Sequence, residues 1–432
     1  MAFLPRPGNP PHCTRGRDAG HYLAHSRQPM SEPHPSVSLD PRDPAFVQDP
    51  YPFYAEWRAK HPVFHWQQLG HWCFAGYDDV NSLLRDRRFG RQILHLATRD
   101  ELGWPESPAH LTSFDKFEEH SLLEVEPPVH TRLRGFINPS FLPRQIERLR
   151  SDVERLSNEL IDRFAAKGST DLIASFAEPV PVMVIARFLG VPDEMAPQIL
   201  SWSHDMVAMY QARRDRAVED RAVAATIAFS DYMRTLLAER RTEPGEDFIS
   251  QLLTARDDQG TTLTEDELVT TAILLLNAGH EATVHSLGNG VLALLHHGKT
   301  EDFLAEPVRC SEEMLRFDTP LHMFKRYALE DLEYKGVRLR KGDQVGLLLG
   351  AANRDEAKFA AAADFVPSRA PNPHVSFGAG IHFCVGAPLA RLEMQTALRV
   401  LFERLPGLRL NGPTRYKDTW HFHALEALPV AW

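Results

Sequence analysis

Long apolar runs are missing from this 432-residue sequence. Its most apolar stretches, such as Ala272–Leu276 and Val345–Gly350, fall well short of the roughly 18–20 residues a membrane span requires. The N-terminus has basic residues but no apolar core of a secretory signal. Dense basic clusters are missing too, and with a net charge of −10 this excludes nucleic acid as the main partner. Cysteine is scarce. Cys13, Cys73, Cys310 and Cys384 lie far apart with no CxxC pair, which excludes a disulfide framework and makes a reducing cytoplasm the expected location.

What is present is a chain with 43% hydrophobic residues, ample for a sizeable core. Residues 1–40 are rich in Pro, His, Arg and Ser, a composition expected to stay disordered. Met30 opens a segment that reads like an ordinary start, so residues 1–29 are either an extension ahead of it or a tail. From Asp43 to Trp432 no linker or repeat interrupts the chain, and residues 41–432 read as one large domain. Apolar spacing predicts a helix from Tyr51 to Trp57, and two short strands follow, Val63–Gln67 and His71–Ala75. A long polar stretch, Arg88–Pro128, has the character of a lid. Helices are predicted at Gln145–Lys167, Val180–Leu189, Glu194–Tyr210 and Ala217–Arg240. Strand signals return only at Leu332–Arg340 and Gln344–Leu349, so the fold class is mostly α with a small β region.

Three segments carry chemical character. The first is the longest helix, opened by the capping box Thr264-Glu-Asp-Glu267 and stopped by Gly298. Its apolar run breaks mid-length at Asn277-Ala-Gly-His-Glu-Ala-Thr283. Either Gly279 merely lets another helix approach, or the defect places an acid over a buried cofactor. The second is Glu313-Met-Leu-Arg316, whose ends share a helical face; the spacing alone is weak. The third is Phe377-Gly-Ala-Gly-Ile-His-Phe-Cys384-Val-Gly-Ala-Pro388, a lone cysteine in a glycine-studded loop before a helix that opens at Pro388. Free amides at that helix end are expected to favour a thiolate and lower the cysteine's pKa, and Phe377 can shield one side of the sulfur. A lone cysteine is commonly an inert buried thiol, but such cysteines rarely sit in a Gly-rich loop ahead of a helix. Zinc binding with His382 is the other alternative, but no second Cys or His pair stands at zinc spacing.

Phe377–Gly386, Ala278–Thr283 and Glu312–Arg316, with Glu126–Phe136, Gly342–Phe359 and Phe365–Gly378, resemble in order and spacing the motifs of the soluble bacterial cytochromes P450. The resemblance implies the P450 fold, haem b, and a monooxygenase that inserts one atom of O2 into a hydrophobic small molecule. It implies that Cys384 is the axial thiolate, the one metal ligand, and that His130, Arg134, Arg326 and His382 hold the haem propionates. Phe377 and Gly378 would lie under the porphyrin, and Ala278, Gly279, Glu281 and Ala282 would line the oxygen groove with Glu281 in the proton path. Glu313 and Arg316 would lock with Arg369 as scaffold. The pattern breaks at Ala282, where most members carry Thr; the hydroxyl stands instead at Thr283, rotated by about 100° along a helix.

With no anchor or reductase domain legible, a separate ferredoxin-type donor with its reductase is expected, docking on Arg132, Arg144, Arg148 and Arg150. The pocket is expected from Arg88–Pro128, Trp202–Tyr210, Leu321–Phe324 and Trp420–His423. Two rival readings are a peroxide-driven enzyme and a haem-binding sensor without oxygenase activity.

Overall fold

The structure is a computed structural model that describes residues 35–210 and 214–432. The central helix runs Glu265–His297, 33 residues, and its ends are those the caps predict. Thr264 accepts from the Glu267 amide, Glu267 accepts from the Thr264 amide, and Gly298 closes the far end in the left-handed conformation. Its middle is buried against the helix Pro179–Leu189 and its flanks against Arg216–Thr242, Pro307–Phe317 and Ala387–Arg404. The predicted helices Gln145–Lys167, Glu194–Tyr210 and Ala217–Arg240 are found at Arg150–Asp162, Ala196–Val207 and Arg216–Thr242. The first is shorter than expected because Pro143–Leu149 is taken up by two separate short turns.

One sheet of six strands lies beside the helices, in the order Ser36–Val37, Val63–Trp66, His71–Phe74, Gln344–Leu348, Met323–Ala328 and Phe89–Gly90. Met323–Ala328 is a strand that the sequence reading passed over. It pairs antiparallel with Gln344–Leu348 and sets Arg326 opposite Val345.

Residues 35–40 correct the expectation of a disordered 1–40. Ser36 and Val37 pair in parallel with His65 and Trp66, and the Trp66 indole donates to the Leu39 carbonyl at 2.7 Å. A sheet edge with unpaired amides supplies the order that composition alone does not. Residues 1–34, with Met30 and Cys13, lie outside the described residues. The lid Arg88–Pro128 is not irregular throughout, for it holds the helices Arg99–Leu102 and Thr112–Glu118.

Candidate functional site

Cys384 sits one turn ahead of the helix Ala387–Arg404, which begins at Ala387 rather than Pro388. Its backbone amide donates to the Phe377 carbonyl at 3.0 Å, closing the loop on itself. The loop can lie this close to its neighbours because Gly380 is left-handed, at φ +73°, and a Cβ there would stand 2.4 Å from the Leu84 carbonyl oxygen. Gly378 stands against the Phe324 ring, and the Phe377 ring carries the Arg391 guanidinium 4.6 Å from its centroid.

Cys73, Cys310 and Cys384 are all free; the first two are buried, whereas Cys384 is exposed as a residue. Burial of its surroundings pushes its pKa up, against the amides of Gly386 and Ala387 and the guanidinium of Arg134. This corrects the expected lowering. The helix end does act on the sulfur, but in the protein alone desolvation outweighs it.

Around the loop stands a rim of cations and imidazoles. Arg326 is 3% exposed with no ion-pair partner among the described residues. Burial, with Arg91 nearby, pulls its pKa down to about 9. His130 is buried, its Nε2 has no hydrogen-bond partner, and burial lowers it to about 4. Arg134 donates through Nε to Asn138 and is otherwise unpaired among the described residues. The His382 and His130 rings lie tilted against each other, centroids 4.4 Å apart, but His382 Nε2 is engaged by Glu126 Oε1 at 3.0 Å. Glu126 also accepts from the Arg91 amide. Neither Glu126 nor Arg91 was singled out from the sequence.

On the central helix Ala278 is exposed although most of its neighbours are buried, and Ala282, one turn on, joins Val207, Leu321, Phe422 and Ala424 in a small apolar cluster. Of the two, only Ala278 is exposed; Ala282 is half-buried. A Cβ at Gly279 would meet Ile185 Cγ1 at 2.8 Å, so the glycine lets the helix Pro179–Leu189 approach. Thr283 is buried and its hydroxyl turns to the Gly279 carbonyl at 3.4 Å, so it cannot stand in for a hydroxyl at position 282. Glu281 is ringed by His285 at 3.4 Å, His280 at 3.5 Å and His204 at 3.7 Å. Burial raises its pKa, but the three imidazoles more than offset this and hold it down to about 2.

The scaffold behind the loop is as expected. Glu313 and Arg316 are fully buried and pair through two hydrogen bonds of 2.7 and 2.8 Å, and Arg369 joins Glu313 at 2.9 Å. Arg316 also donates to the carbonyls of Asn353, Ala362 and Asp364, which pins the stretch leading to the cysteine loop.

Comparison with known proteins decides the family. The family model "Cytochrome P450" matches residues 94–309 and 308–406. The chain belongs to the cytochrome P450 family. The biotin biosynthesis cytochrome P450 of Bacillus subtilis is 36% identical over 395 residues, covering 89% of this chain and 96% of that one. The vitamin D(3) 25-hydroxylase of Pseudonocardia autotrophica is 37% identical over 405 residues, covering 89% and 94%. The crystal structure of P450BioI in complex with an acyl carrier protein ligated to hexadec-9Z-enoic acid superposes with a TM-score of 0.83 at 35% identity, covering 90% of this chain and 99% of that one. This P450 is therefore a monooxygenase of the oxidoreductase class, and its cofactor is haem b, which the family binds through a cysteine thiolate.

The remaining expectations divide. Of the four arginines of the expected docking face, Arg132 is paired with Glu267, and Arg150 with Glu147 and Thr396. Arg144 and Arg148 are exposed without ion pairs among the described residues. Phe422 and Leu321 face Ala282, but Trp420 and His423 turn the other way, to Tyr54 and Asp318. Trp202 lies against Phe229, with ring centroids 5.2 Å apart. No helix among the described residues is long and apolar enough to cross a membrane.

Proposed function

We propose that Cys384 is the axial ligand of the haem and that the enzyme inserts one atom of O2 into a hydrophobic small molecule with electrons from a separate protein. The observation that carries this is the Cys384 sulfur with the Gly386 and Ala387 amides directed at it from a helix end. The rim supports haem as the group held there. A dianionic cofactor needs cationic and hydrogen-bonding partners for two propionates, and Arg326, Arg134 and His130 are the groups left without a carboxylate of the protein's own. Because its Nε2 is committed to Glu126, His382 would reach a propionate only through Nδ1.

Bound haem supplies the reduction of O2 and oxygen transfer. The chain supplies the rest. Coordination to a metal deprotonates a thiol outright, which overcomes the raised pKa of free Cys384. The two amides then temper the charge that the sulfur passes on. Ala282 joins the apolar cluster of Val207, Leu321, Phe422 and Ala424 beside the exposed Ala278, a surface that suits an apolar substrate. Glu281, held as the anion beside three imidazoles, would accept a proton and pass it on instead of donating one of its own. With Thr283 turned to backbone, the last proton step at position 282 falls to water or to a hydroxyl of the substrate.

A ferredoxin-type donor would meet the exposed Arg144 and Arg148 beside the helix Ala387–Arg404. The buried free thiols Cys73 and Cys310 support a reducing, cytoplasmic setting. The experiment is a screen of apolar compounds for a Soret shift, followed by turnover of the hits with NADH, ferredoxin and its reductase, and separately with peroxide alone. Substrate-dependent product in the first assay supports the reading. Product only with peroxide, or binding without product, would replace it.

A further inference from the structure

The cluster around Glu281 has a geometry that proton transfer does not require. His280 lies on the central helix one residue before Glu281, and its Nδ1 stands 2.7 Å from the Leu276 carbonyl. A carbonyl can only accept, so Nδ1 carries the hydrogen and Nε2 keeps its lone pair. This is the pattern by which a second partner orients a metal-ligating histidine. That Nε2 stands 3.5 Å from Glu281 Oε2 and 3.5 Å from the Ser203 hydroxyl. His204, from the helix Ala196–Val207, brings its Nε2 to the same oxygen at 3.7 Å. The ligand atoms of these three residues lie within 4.8 Å of one another.

Charge-assisted hydrogen bonds close to about 2.7–2.9 Å, and these contacts have not closed. They are instead near the edge of a zinc tetrahedron, about 3.4 Å for metal–ligand bonds of about 2.1 Å. His285, 7% exposed at its side chain, points its Nε2 at the other carboxylate oxygen from 3.4 Å without a hydrogen bond of its own. Two to three imidazoles and one carboxylate are the donors zinc and its neighbours prefer. Access is open, because Glu281, His204 and His285 line a recess with Thr419, Phe422 and the exposed Lys417.

A second convergence, Asp318 with His322 and His423, is closed by comparison. Both Asp318 oxygens already accept hydrogen bonds, from Tyr51 and His423 at one and Tyr416 at the other.

We infer that His204, His280 and Glu281, with His285 at the second carboxylate oxygen, bind one divalent cation of the zinc class. The inference rests on side-chain geometry and not on the oxygenase reading. It joins two helices through one ion and ties up Glu281 while the ion is bound.

The test is titration of the haem-loaded, full-length enzyme with zinc against a competing chelator, beside His204→Ala, Glu281→Gln and His110→Ala. The last alters a separate histidine–glutamate pair, His110 with Glu219. The expected result is one zinc bound per chain, weakened at least about 10-fold in His204→Ala and Glu281→Gln and unchanged in His110→Ala. The Soret spectrum of each variant reports that the fold is retained. The extended X-ray absorption fine structure of the bound zinc should show imidazole scattering at about 2.0–2.1 Å that His204→Ala reduces. Zinc binding that is absent in wild type, or equal in wild type, His204→Ala and Glu281→Gln, would overturn the site. Because the readout is metal bound, its failure leaves the oxygenase reading standing, and the converse holds.

Discussion

His382 Nε2 stands 3.0 Å from Glu126 Oε1, a contact that joins the cysteine loop to the segment just ahead of the helix Val129–Ile137. Two residues 256 apart in sequence thus share one hydrogen bond next to the haem rim.

That contact ranks the residues of the rim. Arg326 has no carboxylate partner, so its removal takes a full charge-assisted bond from the cofactor, worth about 1.5–3 kcal/mol, or roughly 10–100-fold in release. His382, already committed to Glu126, should matter less. Haem transfer to an acceptor globin should therefore be accelerated at least about 10-fold in Arg326→Ala and by a clearly smaller factor in His382→Ala.

Glu313 and Arg316 concern the scaffold. Both side chains are fully buried, and Glu313 also holds Arg369 and Asn372. Glu313→Ala leaves two guanidinium groups facing a gap, a change that costs about 3–5 kcal/mol. The variant should express poorly or without haem, measured as the ratio of Soret to protein absorbance. Arg134→Ala should keep its fold and lose haem only on dilution.

Much of this was legible in contiguous residues. The central helix begins and ends where Thr264, Glu267 and Gly298 place it, because capping is local chemistry. The cysteine loop declares itself by glycine, cysteine and proline within a dozen positions. The strand Met323–Ala328 escaped notice because its burial alternates imperfectly and Lys325 and Arg326 interrupt its apolar pattern. Glu126 with His382, and His204 with Glu281, are side-chain meetings of distant segments that no local periodicity encodes. The order of Ser36 and Val37 comes from a sheet edge built by other residues. Gly279 was ambiguous in sequence, and its approach to Ile185 is a contact that only the fold reveals.

Glu393 gives a pH test. It lies fully buried on the helix Ala387–Arg404 with both oxygens lacking partners, and burial holds its pKa well above the ordinary 4.5. A carboxyl whose pKa is raised on folding is unpenalised below 4.5 and costs stability as pH rises from there towards its folded value, by about 1.4 kcal/mol per pH unit. Glu393→Gln removes that cost. In urea melts it should be more stable than wild type at pH 8, with the advantage shrinking steadily towards pH 4.

Ala282 tests the break in the family pattern. Its methyl packs with Val207, Leu321, Phe422 and Ala424, so Ala282→Thr adds bulk where a guest would sit. Product formed per NADH consumed should fall on the native substrate. Glu281→Gln keeps the shape but removes the anion that holds the histidines, and should divert electrons to peroxide. A gain in coupling for Ala282→Thr would mean that the alanine is not adapted to assisted proton delivery.

The central claim is that Cys384 holds the haem iron, and one spectrum tests it most directly. The reduced carbonyl complex of the wild type should show the strongly red-shifted Soret band of thiolate ligation. Cys384→His, refolded or expressed with haem, should lose that band and give the carbonyl spectrum of a histidine-ligated protein. A red-shifted band that survives in Cys384→His would contradict the assignment.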